Sequence, residues 1–389
     1  MPNKSLFCKY ALLGEDLELK QNVTLKIDTV GKIAEIVYEK DNNSLEILPD
    51  SNPSIMIPGF INSHVHIGDS FAKELGFNKD LGEVVAPPFG VKHKLLRLTP
   101  EAIKIKGIQN AVLEMLSNGI TLFIDFREEG LDGIKLLKKA ISGNPINYLI
   151  LGRFMDESEI DSVFDLADGV GLSSYKQINS SNRKLILSAK QKFKKIIASH
   201  CAESIRSEEL MNNVFDDKIV DVIIHGTKLI KKDLERIIEN NLGFVLCPRC
   251  NGYFGTGFPP ISEILKFKIP ISLGTDNLMV NNTDLFEEIR YFYRVSRILC
   301  SHNKEFQFTS KDLLKMVTLN AAKNFDLEKE FGSISKGKFA DLFLIDLGSP
   351  NLFSYKLNSN NIYDIITQRT KSENIKKTYI KGRVVFERK

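Results

Sequence analysis

The sequence predicts an α/β fold, a (β/α)8 barrel of the TIM type with a small β-sandwich built from both chain ends. In the middle of the chain, short apolar runs alternate with longer helical patterns, the order expected of parallel strands and covering helices. At both ends, polar and apolar residues alternate in short runs, the period of half-buried strands. The length of 389 residues suits a large barrel with a smaller module.

The terminal segments predict the sandwich. Val23, Leu25 and Ile27 alternate with polar neighbours near the start, and the stretch "GKFADLFLIDLG" near the end is similar. We therefore expect residues 1–57 and 335–389 to form the sandwich and residues 58–334 to form the barrel. The polar, turn-rich stretch 40–54 is expected to link the two.

The barrel prediction depends on eight apolar runs, which are continuous because barrel strands are buried on both faces. They are Phe60–His66, Ile120–Asp125, Tyr148–Gly152, Gly169–Ser173, Lys195–His200, Val220–His225, Gly243–Cys247 and Ile269–Asp276. Helix signals lie between and after them. Thr99-Pro100-Glu101 opens a helix that Asn118-Gly119 closes, and further helices are expected to open at Thr283 and at Thr309 or Ser310.

Composition and charge exclude several function classes. The net charge is only +4, with 53 basic and 49 acidic residues interleaved, so nucleic acid is not an expected partner. No apolar stretch approaches the roughly 20 residues that cross a bilayer, and the start does not resemble a signal peptide. Five scattered cysteines suit a reducing cytoplasm. We expect a cytoplasmic protein with a small-molecule partner, and the possibility of a homo-oligomer stays open.

Ionisable residues stand at the ends of the predicted strands, where barrel enzymes carry their chemistry. His64 and His66 end the first strand, His200 the fifth, His225 the sixth and Asp276 the eighth. Residues i and i+2 of a strand point to one face, so both histidines of the first strand can aim into the barrel mouth. Imidazole suits zinc and iron. Together with His200 and Asp276, they predict an open site for one divalent metal.

Several motifs then resemble a known family. "PGFINSHVH", "SHCAES", "IIHGT", "LGTDN" and "GSISKGKFADLFLID", in this order, are similar to the amidohydrolase superfamily, in its cytosine deaminase, chlorohydrolase and S-adenosylhomocysteine deaminase branch. The resemblance runs from about residue 10 to the C-terminus, and it implies a metal-dependent barrel flanked by a sandwich from both chain ends. It implies metal ligation by His64, His66, His200 and Asp276, proton shuttling by Glu203, and orientation of the attacking water by His225.

These roles agree with elementary chemistry. A divalent metal, preferably zinc and alternatively iron, brings the pKa of water towards ~7. A leaving amine must be protonated, so a carboxylate with a raised pKa, Glu203, can take the water proton and pass it on. Asp276 can bind the metal and also accept a proton. The predicted reaction is hydrolysis of a carbon–nitrogen bond other than a peptide bond, as deamination of a purine, pyrimidine, pterin or triazine type of heterocycle.

Substrate contacts are expected from three places. The long loop from Gly68 to Leu98 has the length of a lid or binding segment, and within it His93 and its neighbour Lys92 are expected to face the substrate. Arg153, after the third strand, can orient an anionic or carbonyl group. Asn251 matches the asparagine in the family's CPxSN pattern, in which Cys250 here replaces the serine.

Three alternatives remain open. A cyclic-amide hydrolase or chlorohydrolase would activate water in the same way but release no ammonia. A binuclear enzyme would use a carbamylated lysine after strand four, for which Lys176 is the candidate, although the spacing of His200 and Glu203 favours one metal. A non-catalytic barrel acting as a binding or assembly protein is the third, and it is disfavoured because all the ligand and proton-transfer positions are present.

Overall fold

The computed structural model describes residues 4–39, 53–300, 307–354, 357–359 and 361–388, so most of the predicted link at 40–54 lies outside the described residues. The strands are β1 (Lys4–Leu13), β2 (Glu18–Ile27), β3 (Ile33–Val37), β4 (Ser54–Pro58), β5 (Phe60–His66), β6 (Ile120–Arg127), β7 (Asn147–Gly152), β8 (Gly169–Leu172), β9 (Ile196–Cys201), β10 (Val222–His225), β11 (Gly243–Leu246), β12 (Ile271–Leu273), β13 (Asp276–Asn277), β14 (Leu342–Asp346), β15 (Ile375–Ile380) and β16 (Arg383–Glu387).

The helices lie mainly between the barrel strands. They are α1 (Leu81–Val85), α2 (Val91–Leu98), α3 (Glu101–Ser117), α4 (Gly130–Ala140), α5 (Ile160–Leu166), α6 (Arg183–Phe193), α7 (Glu208–Asp216), α8 (Lys231–Glu239), α9 (Pro248–Tyr253), α10 (Ile261–Phe267), α11 (Leu285–Leu299), α12 (Ser310–Met316), α13 (Leu319–Lys323) and α14 (Ile362–Arg369). None of the helices in the described ranges has both the length and the apolar character needed to cross a membrane.

Both chain ends form one seven-stranded sheet in the order β16-β15-β14-β4-β1-β2-β3. The ends meet where β14 pairs antiparallel with β4, placing Leu342 opposite Pro58. In β2 the apolar positions Val23 and Leu25 are buried while Lys26 between Leu25 and Ile27 is exposed, so the alternation read from the sequence is real. A separate terminal sheet is therefore confirmed, whereas the division into domains at 57/58 and 334/335 stays a prediction.

The barrel strands form a nine-stranded sheet in the order β12-β11-β10-β9-β8-β7-β6-β5-β13, and its neighbours pair in parallel. The two edge strands belong to one short chain segment, residues 271–277. Its first part pairs with β11 and its last part with β5, so the sheet closes on itself. The predicted (β/α)8 barrel is confirmed.

The predicted eighth strand, Ile269–Asp276, is broken in the structure. β12 ends at Leu273 and β13 begins at Asp276, and Gly274 lies in the gap. A Cβ at Gly274 would lie 2.6 Å from the backbone nitrogen of His64. The backbone at Gly274 and that at His64 approach so closely that only glycine fits. The regular strand pairing is interrupted at this contact.

Aromatic side chains join the base of the barrel to the terminal sheet. The ring of Phe60, at the start of β5, lies 4.9 Å from those of Phe286 and Phe343. Helix starts follow the predicted signals with one correction. Thr309 caps α12 as expected, but the N-cap of α11 is Asp284 rather than Thr283, because the Asp284 carboxylate accepts hydrogen bonds from two backbone N–H groups of the first turn.

Candidate metal centre

The barrel brings four predicted site residues from four strands to one point. One ligand atom from each of His64, His200, His225 and Asp276 can be chosen so that all lie within 4.8 Å of one another. Three of the residues are buried, and His200 is half-buried. The carboxyl ends of β5, β9, β10 and β13 meet at the same mouth, so side chains far apart in sequence converge there.

His66 lies beside this group. Its Nε2 is 3.4 Å from Asp276 Oδ1, and its ring centroid is 4.9 Å from that of His64. Its other nitrogen, Nδ1, points away from the group, 3.1 Å from the carbonyl oxygen of Phe126. The sequence predicts His64, His66, His200 and Asp276 as the ligands. By distance alone, the group of four contains His225 in place of His66.

Hydrogen-bond partners separate the histidines further. Nδ1 of His66 and Nδ1 of His200 face the carbonyl oxygens of Phe126 and Leu172 at 3.1 and 2.8 Å. A carbonyl only accepts, so in both rings Nδ1 carries the proton and Nε2 keeps its lone pair for a metal.

His225 has the opposite arrangement. Its Nδ1 lies 3.1 Å from the side-chain nitrogen of Asn251, which can only donate, so Nε2 carries the ring proton. That Nε2 lies 3.7 Å from Glu203 Oε1 and 3.9 Å from Asp276 Oδ2. His225 is thus suited to donate a hydrogen bond at the centre rather than to ligate through Nε2.

The donor set fits a divalent cation. His64 is fully buried, and neither of its ring nitrogens has a hydrogen-bond partner among the described residues, although Nε2 lies 3.2 Å from Asp276 Oδ1. Burial lowers the pKa of His64 to about 3, and burial with the neighbouring histidines lowers that of His200. Neutral imidazoles with free lone pairs, left unsatisfied in a buried site, are what a metal would satisfy.

The carboxylate of the centre is ionised. Burial acts to raise the pKa of Asp276, but the contact with His64 and the electrostatic influence of the facing histidines hold it well below its usual range. Backbone strain is concentrated at the same place. Asp276 and His225 both have positive φ, 59° and 68°, which costs non-glycine residues about 1–3 kcal/mol each. Such strain is typical of functional sites, and here it occurs where the two side chains enter the mouth.

Glu203 lies in the loop after β9, not in a helix, since α7 begins at Glu208. Its backbone carbonyl accepts a hydrogen bond from the Thr227 hydroxyl, which ties the loop to the segment after β10. Burial raises the pKa of the Glu203 carboxyl group. The residue therefore stands next to the metal centre as an acid that holds its proton more tightly than an exposed glutamate does.

A cavity of about 130 Å³ lies over the centre. Its floor is formed by strand-end residues, among them His66, His200, Glu203, His225 and Asp276. One wall comes from residues 67–98, here called the covering segment, and this wall consists of Leu81, Val85, Ala86, Pro87, Lys92 and His93. The long loop, for which the sequence predicts a lid or binding segment, thus lines one side of the cavity.

Of the predicted substrate contacts, Arg153 and His93 line the cavity and Asn251 does not. Arg153 is buried and lines the cavity, and within the part of the chain that the structure describes its Nε has no hydrogen-bond partner. His93 also lines the cavity, with Nε2 3.1 Å from the Val85 carbonyl oxygen, and burial lowers its pKa to about 4. Asn251 lies behind His225 and is not among the lining residues. Lys176 is exposed in a short 3-10 turn, away from the cavity.

Sequence reasoning missed a buried ion-pair network beside His66. Lys92 Nζ lies 2.5 Å from Glu128 Oε1 and 3.3 Å from Asp69 Oδ2, and the same Glu128 oxygen lies 2.7 Å from His66 Nδ1. Arg127 Nη2 lies 2.8 Å from Glu128 Oε2. The signal was present in the sequence, because Arg127 and Glu128 directly follow an apolar strand, but spacing alone could not show which groups meet.

Comparison with known proteins shows what this chain is similar to. A putative aminohydrolase of Methanothermobacter thermautotrophicus is 32% identical over 376 residues, covering 91% of this chain and 92% of the relative. A 5'-deoxyadenosine deaminase of Methanobrevibacter smithii is 26% identical over 424 residues, covering 100% and 94%.

Solved structures share the fold at lower identity. A zinc-bound adenosine deaminase from Xanthomonas campestris superposes with a TM-score of 0.80 at 15% identity, over 98% of this chain and 92% of that one. Guanine deaminase of E. coli gives 0.76 at 15% identity, over 100% of both chains. The profile of the amidohydrolase family matches residues 55–385. The chain belongs to the amidohydrolase family.

Proposed function

We propose that the protein is a hydrolase that deaminates an amino-substituted heterocycle at a single divalent metal, with zinc as the preferred ion. One observation carries the proposal: neutral imidazoles and an ionised carboxylate converge on one buried point, and an acid with a raised pKa, Glu203, stands beside it. The names of similar proteins support it, since relatives at 26% identity and solved structures of the same fold are deaminases.

The ligands would be His64, His66, His200 and Asp276. His66 is preferred over His225 because its Nε2 keeps a lone pair, whereas the Asn251 contact gives His225 Nε2 a proton. Bound zinc makes a water molecule acidic enough to supply hydroxide near neutral pH.

The chain's own residues then move the protons. Glu203 takes a proton from the attacking water and delivers it to the leaving amine, so that water and the amino-heterocycle give ammonia and the hydroxylated or keto product. His225 donates its Nε2 hydrogen to the attacking oxygen and so orients it. Asp276, as a carboxylate at the same centre, can also accept a proton from the attacking water in the same step.

Substrate binding would involve Arg153 and His93, both of which line the cavity. The Arg153 Nε is a buried donor without a partner, so it is suited to a carbonyl or anionic oxygen on the substrate. Asn251 would act through His225 rather than on the substrate. Purines, pyrimidines, pterins and triazines remain the candidate ring systems.

We also propose that the protein works in the cytoplasm. All five cysteines lie among the described residues and are free and buried, which suits a compartment that keeps thiols reduced.

The test combines metal analysis with a screen for ammonia release over amino-purines, amino-pyrimidines, pterins and amino-triazines. We expect about one zinc ion per chain and ammonia from at least one ring class. Glu209→Gln, on an exposed residue of α7, is the control for Glu203→Gln. Chain that retains no metal would overturn the proposal, and hydrolysis of chloro-heterocycles or cyclic amides without ammonia would replace deamination by one of those reactions.

A further inference from the structure

Lys92 is a buried cation that the covering segment inserts into the barrel mouth. It lies on α2, its side chain is 3% exposed, and its Nζ lies 2.5 Å from Glu128 Oε1 and 3.3 Å from Asp69 Oδ2. Glu128 directly follows barrel strand β6, whereas Asp69 lies at the start of the covering segment, directly after β5. Because a buried ammonium is stable only when paired, these contacts fix α2 against the barrel.

Glu128 connects this lysine to the metal centre. The oxygen that faces Lys92 also lies 2.7 Å from His66 Nδ1, and the second oxygen accepts a hydrogen bond from Arg127 at 2.8 Å. Glu128 is itself buried. The Phe126 carbonyl accepts the hydrogen bond from His66 Nδ1, and a carboxylate in contact with the same nitrogen holds the ring in its orientation.

The charges of the network make its members interdependent. Three acids, Asp69, Asp125 and Glu128, face two bases, Lys92 and Arg127, and all are buried. Loss of Lys92 would leave three acids around one arginine. Glu128 would then be free to turn towards Arg127, away from His66.

We propose that Glu128 and Lys92 are positioning residues of the metal centre, so that His66 is held for ligation only when the covering segment is seated. Glu128 fixes His66 with Nε2 towards the metal, and Lys92 fixes Glu128. The inference rests on the proposed function, in which His66 is a ligand. It follows that metal binding and closure of the covering segment favour each other, since coupling between two sites is reciprocal.

Zinc release tests the proposal without any substrate. Zinc-loaded protein is mixed with excess EDTA, and the rate of zinc loss is followed for Glu128→Gln and Lys92→Met. The matched controls are Glu129→Gln, the next acid in the chain, and Lys94→Met, an exposed lysine of the same helix. We expect both test variants to release zinc faster than their controls, by about 10–100-fold for Glu128→Gln.

A double variant and hydrogen exchange separate positioning from general destabilisation. If Lys92 acts through Glu128, the variant Lys92→Met/Glu128→Gln releases zinc no faster than Glu128→Gln alone. Zinc removal should raise amide exchange in residues 81–98 of the wild type, and this zinc dependence should be lost in Lys92→Met.

Release rates equal to those of the controls would overturn the inference, as would additive effects in the double variant. If circular dichroism shows that a single variant does not fold, the test uses the double variant, which removes one acid and one base together. Zinc release from the double variant at the wild-type rate would refute the proposal. Wild-type protein that retains no zinc would overturn the proposed function itself, whereas zinc-retaining wild type with an unaffected Glu128→Gln overturns only this inference.

Discussion

Replacing Glu203 by Gln should stop turnover while leaving the fold and the metal in place. The change is nearly isosteric and removes only the ability to exchange a proton. The backbone contact from Thr227 to the Glu203 carbonyl does not depend on the side chain, so the loop after β9 should keep its position. Since Glu203 is not among the proposed ligands, zinc content should stay near one per chain.

The size of the effect follows from the role of the carboxyl group. A positioned general acid or base contributes roughly 10²–10⁴-fold to rate, so kcat should fall by about that factor. Glu203 Oε1 stands 3.7 Å from His225 Nε2, so the two groups face the same part of the centre. Because the carboxylate must first accept a proton, activity should rise with pH through the raised pKa of Glu203, and this acidic limb should vanish in the variant.

The same substitution should not lower the thermal stability of the metal-free protein at pH 7, although it lowers activity. Burial raises the pKa of Glu203 in the folded protein above its usual value of 4.5, so the folded state binds this proton more tightly than the unfolded state. Wild-type stability from this group is therefore present below that value and is lost as pH rises through the folded pKa. At pH 7 metal-free Glu203→Gln should melt at or above the wild-type temperature, and the gain should disappear in acid.

The assays are ammonia release on the substrate found by the screen, zinc content, and thermal melting of the metal-free proteins. Glu209→Gln should match the wild type in all three. A kcat within a few-fold of wild type would refute the proton-transfer role. Loss of zinc together with activity would show instead that Glu203 supports the metal.

Three further changes test the centre and its frame. Asp276→Ala should lose both its zinc and its activity, because the ionised carboxylate is removed. Metal analysis after gel filtration checks this, and full activity without bound metal would contradict it. Lys176→Met should change neither zinc content nor kcat, since this lysine is exposed, and a second bound metal that it abolishes would favour the binuclear alternative. Gly274→Ala should lower the unfolding free energy by about 1–3 kcal/mol and weaken zinc retention, because the new Cβ would lie 2.6 Å from the His64 backbone nitrogen; an unchanged melting curve would contradict it.

Much of the fold was readable from period and order. The predicted strand Phe60–His66 has the same first and last residues as β5. The other predicted barrel strands are present, but they begin or end at slightly different residues. The eighth strand was the exception, because its break at Gly274 arises from contact with His64, more than 200 residues away in sequence. A helix start was missed by one residue where Asp284 competes with Thr283, since both are good caps and only the local geometry decides.

The sequence by itself determined which residue types end the strands, and hence that His64, His66, His200, His225 and Asp276 would lie near one mouth, because parallel barrel strands deliver their carboxyl ends to one side. Only the tertiary structure decided which histidine nitrogens face carbonyls and which faces Asn251, and so which can ligate. It alone also paired Lys92 with Glu128. Hydrogen-bond direction and the pairing of buried charges depend on atoms from several strands within a few ångströms, and neither periodicity nor spacing along the chain contains that information.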